Sequence, residues 1–207
     1  KAVDVARRQG RMTVRTDRFE HDVDYVLGAD GARSLVRKKL ARPFTRAALS
    51  VAAGFFVHGS TASNIAVSTA CAQPGYLWSF PRPDHLAVGI CAAAAEHATS
   101  GDLRAQSAAW IAKHGLDRRT RLTPYAWPIP SIGYQARREV TLGGEGWMLL
   151  GDAAGLVDPL TREGIYFALL SGRWAADAIA ATAGPGAASP YADMVLRDIH
   201  PELARAA

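Results

Sequence analysis

Apolar and polar residues alternate at the start of the chain. Val3 and Val5, then Met12 and Val14, with Gly10 between them as a turn signal, predict two antiparallel strands. Val23, Tyr25, Val26 and Leu27 predict a third strand, ending at the stretch GADGARSLVRKKL, residues 28–40. Asp30 and Gly31 suit a tight turn there, and Ser34 can cap a short helix through Leu35, Val36 and Leu40. From residue 48 to about 130 the texture changes to short apolar runs at 51–57, 65–71, 76–80, 86–91 and 125–129, separated by Gly, Pro, Ser and Asn. This predicts an antiparallel sheet, interrupted by one helix over about 103–114 behind the cap-like Ser100 or Asp102. Pro124, Pro128 and Pro130 lead out of it.

The chain is organised around residues 146–181. Trp147, Met148, Leu149 and Leu150 form an apolar run ending at Gly151, the pattern of a strand covered on both faces of an α/β sheet. Asp152 then lies just past the strand's carboxyl end, where open α/β sheets bind ligands. Pro159 marks a helix start near Leu160, and Gly164, Ile165, Ala168, Leu169, Gly172, Ala176 and Ile179 recur at helical spacing on one face. The amino end of that helix, with its unpaired N–H groups, suits a phosphate, a carboxylate or an electron-rich ring. A break over 183–190 precedes a final helix over 191–206, and no internal repeat is evident.

The chain has 207 residues, 49% of them hydrophobic, enough for a sizeable core in one or two domains. Its net charge of +5 comes mainly from scattered Arg, with Lys only at 1, 38, 39 and 113, which argues for a solvated surface and against nucleic acid as partner. Attraction to an anionic substrate, or peripheral contact with a membrane, is compatible with this charge. Cys71 and Cys91 have neither metal-ligand spacing nor the density of a disulfide scaffold, so a reducing cytoplasm is expected. No apolar run approaches the roughly 20 residues that span a bilayer. Strand-like sequence begins directly at Lys1, so a fragment of a longer protein is expected.

Three stretches resemble motifs of known flavoproteins. GDAAGLVDPLTREG, residues 151–164, resembles the second FAD-binding motif of the p-hydroxybenzoate hydroxylase-like superfamily, with geranylgeranyl reductases as the closest likeness. The resemblance implies that Asp152 holds the ribityl chain of FAD and that Gly164 and Ile165 face the pyrimidine edge of the flavin. Gly151, Gly155 and Pro159 shape the same loop. Arg162 stands where family members often carry Gly. GADGARSLVR, residues 28–37, resembles the Asp-Gly motif of these proteins, which implies that Asp30, Gly31 and Arg37 lie near the FAD pyrophosphate and the path of a nicotinamide cofactor. GYLWSFPRPDHLAVGI, residues 75–90, resembles the Tyr-x-Trp-x-Phe-Pro motif that lines the prenyl tunnel of geranylgeranyl reductases, implying substrate contacts from Tyr76, Trp78, Phe80 and Pro81. Cys91 departs from it, where the motif has a second Gly. From the residues alone, each stretch also has a plainer reading: an ordinary crossover, simple turn chemistry, and three rings that share a strand face as core.

His58, His85, His97 and His114 form no ligand pair at helical spacing, so no metal site is expected. No Gly-x-Ser-x-Gly elbow is present, and no side chain is assigned a catalytic role, because the flavin would carry the chemistry. The expected fold is α/β (α+β), an incomplete Rossmann-like FAD-binding domain (1–47 and 131–207) with an inserted antiparallel-sheet substrate domain (48–130). The glycine-rich turn of a first βαβ unit is missing, and Gly143, Gly144 and Gly146 do not replace it because they precede a strand. The resemblance thus implies an FAD-dependent oxidoreductase that reduces isoprenoid double bonds by hydride from the reduced flavin, with NAD(P)H as a candidate electron donor. The alternatives are a flavin-dependent monooxygenase, and an inert fragment that only binds or self-associates. Without the first βαβ unit, the strands ending at Gly28 and Gly151 are expected to have open edges, Leu27, Leu149 and Leu150 to lose their cover, the chain to self-associate and FAD to bind weakly.

Overall fold

Two hairpin-linked strands begin the chain, β1 (Ala2–Arg8) and β2 (Arg11–Thr16), joined at Gln9 and Gly10, whose φ values of 47° and 83° are the pair a type I′ turn requires. The computed structural model describes residues 1–69, 71, 75–94, 99–117, 120–133, 137 and 139–206. β3 (Glu20–Val23) pairs with β2 to complete a three-stranded antiparallel sheet, Met12 opposite Val23. The single strand expected through Val23 and Leu27 is therefore two: the chain bends at Asp24, and β4 (Val26–Gly28) joins a different sheet, its Val26 N–H bonded to Gly146 O at 2.9 Å. α1 (Leu35–Leu40) comes next, capped by Ser34, whose hydroxyl accepts from Arg37 N–H at 2.9 Å.

The chain divides into two units, Leu49–Ile129 forming the second by itself. It is a five-stranded antiparallel sheet of β5 (Leu49–His58), β6 (Ala66–Ser68), β7 (Gly75–Pro81), β8 (His85–Ala93) and β9 (Arg121–Pro130), in the order β6-β7-β8-β5-β9. α2 (Ser100–Lys113) starts three residues before the expected Leu103, because Thr99 is the cap. The Thr99 hydroxyl accepts from Asp102 N–H while the Asp102 carboxylate accepts from Thr99 N–H, a reciprocal box satisfying two end donors. α2 buries Leu103 and Ile111 on one face of the sheet, against Ala53, Leu77 and Ile90 in one cluster and Val57, Leu86 and Val88 in the other. The prolines of β9 sit in a strand at the sheet's edge, the position that tolerates a missing donor.

The first unit resumes with β10 (Gly143–Gly144) and β11 (Trp147–Leu149). β11 lies between β10, which is antiparallel to it, and β4, which is parallel, with Trp147, Met148 and Leu149 opposite Val26, Leu27 and Gly28. The expected loss of cover is thus confined to β4. Leu27 is 41% exposed, whereas Leu149 and Leu150 are buried, because β10 closes the other edge of β11 and the later helices pack over it. α3 (Gly151–Ala154) and α4 (Ile165–Ala181) come next, then α5 (Ala188–Met194), a π-helical turn at Val195–Ile199 and α6 (His200–Arg205). The final helical run starts at Ala188, earlier than the expected residue 191, and Tyr191 anchors it by donating its hydroxyl to Leu149 O at 2.6 Å.

The face that α4 buries is not the one the apolar spacing predicts. Phe167, Ser171, Ala175 and Ala178 point into the core, while Ile165 and Leu169 are 77% and 72% exposed. No helix among the described residues is long and apolar enough to cross a membrane.

Candidate functional site

Parallel pairing of β4 with β11 sets the two acid-bearing turns side by side, and Leu150 N–H extends the ladder to Gly28 O at 2.9 Å. The backbone of the second turn leaves no room for side chains. Gly151 has φ +50°, and a Cβ there would stand 2.8 Å from the Cβ of Ala168; its N–H donates to the Ser171 hydroxyl at 3.0 Å. Gly155 ends α3 in the left-handed region at φ +77°, where a Cβ would collide with Ile132. Its carbonyl accepts from the guanidinium of Arg137, which also holds Ile132 O at 2.9 Å.

Between these glycines lies Asp152. Its carboxylate is half-buried and makes no hydrogen bond to a described residue, and burial pushes its pKa up. A Cβ at Gly164 would come within 3.0 Å of Asp152 Oδ1, so only a glycine lets the helix start approach the acid so closely. α4 begins at Ile165 with Gly164 as its cap and no side chain bonded to its first N–H groups. The helix start expected near Leu160 is corrected by this. After Pro159 the chain first makes a tight loop, in which the Asp158 carboxylate accepts from Leu160 N–H at 2.8 Å and Thr161 N–H at 2.7 Å. Arg162 sits in that loop at φ +63°, a conformation that favours glycine, and its guanidinium bonds the Ser131 hydroxyl.

The first turn is arranged differently. Asp30 Oδ2 accepts from Leu35 N–H at 2.6 Å and Val36 N–H at 3.4 Å, so its carboxylate is engaged by its own helix. Gly31 has φ +77° with open space where a side chain would point. Arg37 is only 4% exposed. It donates to Ala153 O at 2.6 Å and Arg42 O at 2.9 Å and lies 4.1 Å from the Phe44 ring centre, and burial lowers its pKa to about 10. It thereby ties the first turn to the helix behind Asp152. In the unliganded chain the Asp30 carboxylate thus holds the start of α1, and Arg37 holds the carbonyl of Ala153 beside Asp152.

In the second unit, Tyr76, Trp78 and Phe80 share the face of β7 opposite to Leu77 and Ser79, which are buried on the side of α2. The three rings run in a row, with centroids 5.7 and 6.0 Å apart. They are half-exposed and Pro81 ends the row, so they are not core packed under the helix. Gly89 lies opposite Trp78, and a Cβ there would press on the Trp78 ring at 2.7 Å. Gly54 is its partner on β5, so two facing glycines form a low floor beside the rings. Phe56 and Tyr125, with ring centroids 4.7 Å apart, continue the aromatic surface, and burial raises the pKa of the Tyr125 hydroxyl. Cys91 stands opposite Tyr76, filling the place where the motif's second Gly would leave a gap.

Spacing along the chain also missed a grouping of His58, Asp84 and His85, which β5–β8 pairing brings together. His97 lies outside the described residues.

No protein-family model matches the chain. It is 32% identical over 174 residues to the geranylgeranyl diphosphate reductase of Synechocystis, a match covering 81% of this chain and 41% of that protein. A geranylgeranyl bacteriochlorophyll reductase-like protein from Thermoplasma acidophilum superposes with a TM-score of 0.78 at 20% identity, over 99% of this chain and 56% of that one. HpxO from Klebsiella pneumoniae, in complex with FAD, superposes with a TM-score of 0.62 at 15% identity, over 100% and 57%. The chain spans about two fifths of the length of the curated relatives it matches. By sequence the chain is similar to part of the geranylgeranyl diphosphate reductases, and it shares its α/β fold with the geranylgeranyl bacteriochlorophyll reductase-like protein.

Proposed function

We propose that this chain forms the flavin-facing wall and the substrate-facing sheet of an FAD-dependent oxidoreductase that reduces isoprenoid double bonds. The observation that carries the reading is the carboxylate of Asp152, without a hydrogen-bond partner among the described residues and set against Gly164 at the start of α4. The residues present fit an FAD. Gly151, Gly155 and Gly164 let Ala168, Ile132 and the start of α4 pack closely around Asp152, which offers an acceptor to a ribityl hydroxyl, and the first N–H groups of α4 suit the electron-rich pyrimidine edge. Bound and reduced, FAD supplies the electron pair for saturating a carbon–carbon double bond. The chain's own residues position it and exclude water, Arg37 by fixing α3 and Arg137 by fixing the carbonyl of Gly155. The aromatic row Tyr76–Trp78–Phe80 above the Gly54–Gly89 floor suits a long, slender apolar substrate.

For the electron donor we assign a nicotinamide dinucleotide, on the resemblance of the first turn alone. We place the protein in the cytoplasm, with peripheral membrane contact supported by its basic charge and exposed apolar side chains. The open edge of β4 and the outward-facing Ile165 and Leu169 support self-association of the 207-residue chain. The decisive experiment uses the full-length protein containing this chain, chemically reduced without oxygen and given a geranylgeranyl substrate. Mass spectrometry should show one pair of hydrogens gained per reduced double bond, and Trp78→Ala should raise KM more than it lowers kcat. Rapid NAD(P)H oxidation stimulated by an aromatic compound, with no isoprenoid reduced, would instead make the protein a monooxygenase. Sedimentation of the 207-residue chain as a strict monomer with stoichiometric FAD would overturn the self-association.

A further inference from the structure

We propose that His58, Asp84 and His85 bind a divalent cation of the zinc class where the end of β5 meets the start of β8. The ladder places His58 directly opposite His85, and their ring centroids lie 5.6 Å apart. One ligand atom from each of the three residues lies within 4.8 Å of the other two. Around a tetrahedral zinc ion with bonds near 2.0–2.2 Å, ligand atoms stand about 3.4 Å apart, so side-chain rotation alone closes the set. The backbone holding them is fixed. Arg82 N–H bonds His85 O at 2.9 Å and Gly59 N–H bonds Asp84 O at 3.2 Å, so the turn is pinned on both sides.

The His58 imidazole also has an orienting partner, as metal-binding histidines do. His58 Nε2 faces the Thr123 hydroxyl of β9 at 3.0 Å, which leaves Nδ1 for the ion. His85 Nδ1 lies 2.7 Å from Asp84 Oδ1, so an ion between them would replace that hydrogen bond with both atoms as ligands, and the Phe56 ring packs at 5.2 Å from the His85 ring. Two imidazoles with one carboxylate select zinc, cobalt, nickel or copper over calcium and magnesium, which prefer an all-oxygen shell. The Asp84 side chain is 78% exposed and that of His85 22%, so an ion can enter from solvent and keep water in its remaining positions. Bound there, the ion links β5 to β8 directly and β9 through Thr123. The site is independent of the flavin reading.

The test uses the metal-free 207-residue chain, titrated with Zn2+ by calorimetry and with Co2+ by visible absorption. One ion per chain is expected, with a micromolar Kd. His58→Gln and His85→Gln should each weaken binding at least about 10-fold, as loss of one strong ligand does. Asp84→Asn should weaken it less, and His21→Gln and His114→Gln should leave it unchanged. If a variant fails to fold, histidine ring NMR on the wild-type chain serves instead: Zn2+ should move the resonances of His58 and His85 and of no other histidine. Absence of binding below millimolar Zn2+, an affinity indifferent to both glutamine variants, or shifts at other histidines would overturn the site.

Discussion

Asp30 and Asp152 occupy matching places, each just past the end of a short strand, on parallel strands hydrogen-bonded to one another. One carboxylate is engaged by the first N–H groups of its own helix; the other has no protein partner among the described residues. The difference lies in the path of the chain beyond each acid. After Asp30 the chain turns through Gly31 straight into α1, whose donors come within reach. After Asp152 the four-residue α3 ends at a left-handed Gly155, and the next long helix arrives from across the loop with Gly164 first. The path of the chain beyond each acid therefore decides whether its own helix engages the carboxylate or leaves it without a partner among the described residues.

The largest effect is expected from the device that keeps Asp152 unclaimed. Gly155→Ala would force a side chain into the left-handed region, at about 1–2 kcal/mol, and against Ile132, at about 1–3 kcal/mol more. Chemical denaturation should show a total loss of about 2–5 kcal/mol, and a neutral result would mean that the turn relaxes freely. Next comes the contrast of the two acids. In the full-length protein, Asp152→Asn should weaken FAD binding roughly 10- to 100-fold, the range for losing a charge-assisted hydrogen bond. The same change should leave the unliganded chain no less stable at pH 7. A carboxyl whose folded pKa is raised contributes stability that is lost as pH rises through that pKa, and Asn has no such charge to desolvate. Asp30→Ala should do the reverse, costing about 1 kcal/mol of stability through the two N–H groups it leaves without an acceptor, while nearly sparing FAD affinity. Equal effects of the two substitutions on both readouts would erase the comparison. The smallest effect is expected at Arg162→Gly. Relief of about 1–2 kcal/mol of left-handed strain is largely offset by about 0.5–1 kcal/mol of glycine flexibility and by the lost bond to Ser131, for a gain below about 1 kcal/mol in thermal unfolding.

Much of this architecture is legible in the residues. Glycine–acid pairs after apolar runs mark both turns, and period-two aromatics mark the row on β7, because each is a local pattern with a local cause. Three features are not. The apolar spacing of Ile165, Ala168 and Leu169 shows that α4 has an oily stripe, yet the helix buries Phe167, Ser171 and small alanines instead, since close approach to Gly151 selects small residues. The start of α4 is displaced by the loop around Asp158, whose side chain competes for the first N–H groups. The meeting of His58 with His85 depends on strand register, which links positions far apart in sequence.

The sheet of the second unit has a margin that resists growth. Pro124, Pro128 and Pro130 all occupy even-numbered positions of β9, the strand at that margin. Residues two apart in a strand aim their backbone groups to the same side, so the three missing donors fall along one rim. An incoming strand would find three acceptors there without matching donors, with N–H groups left only at Leu122 and Ala126, too few for a continuous ladder. The sheet is thus terminated chemically on that side.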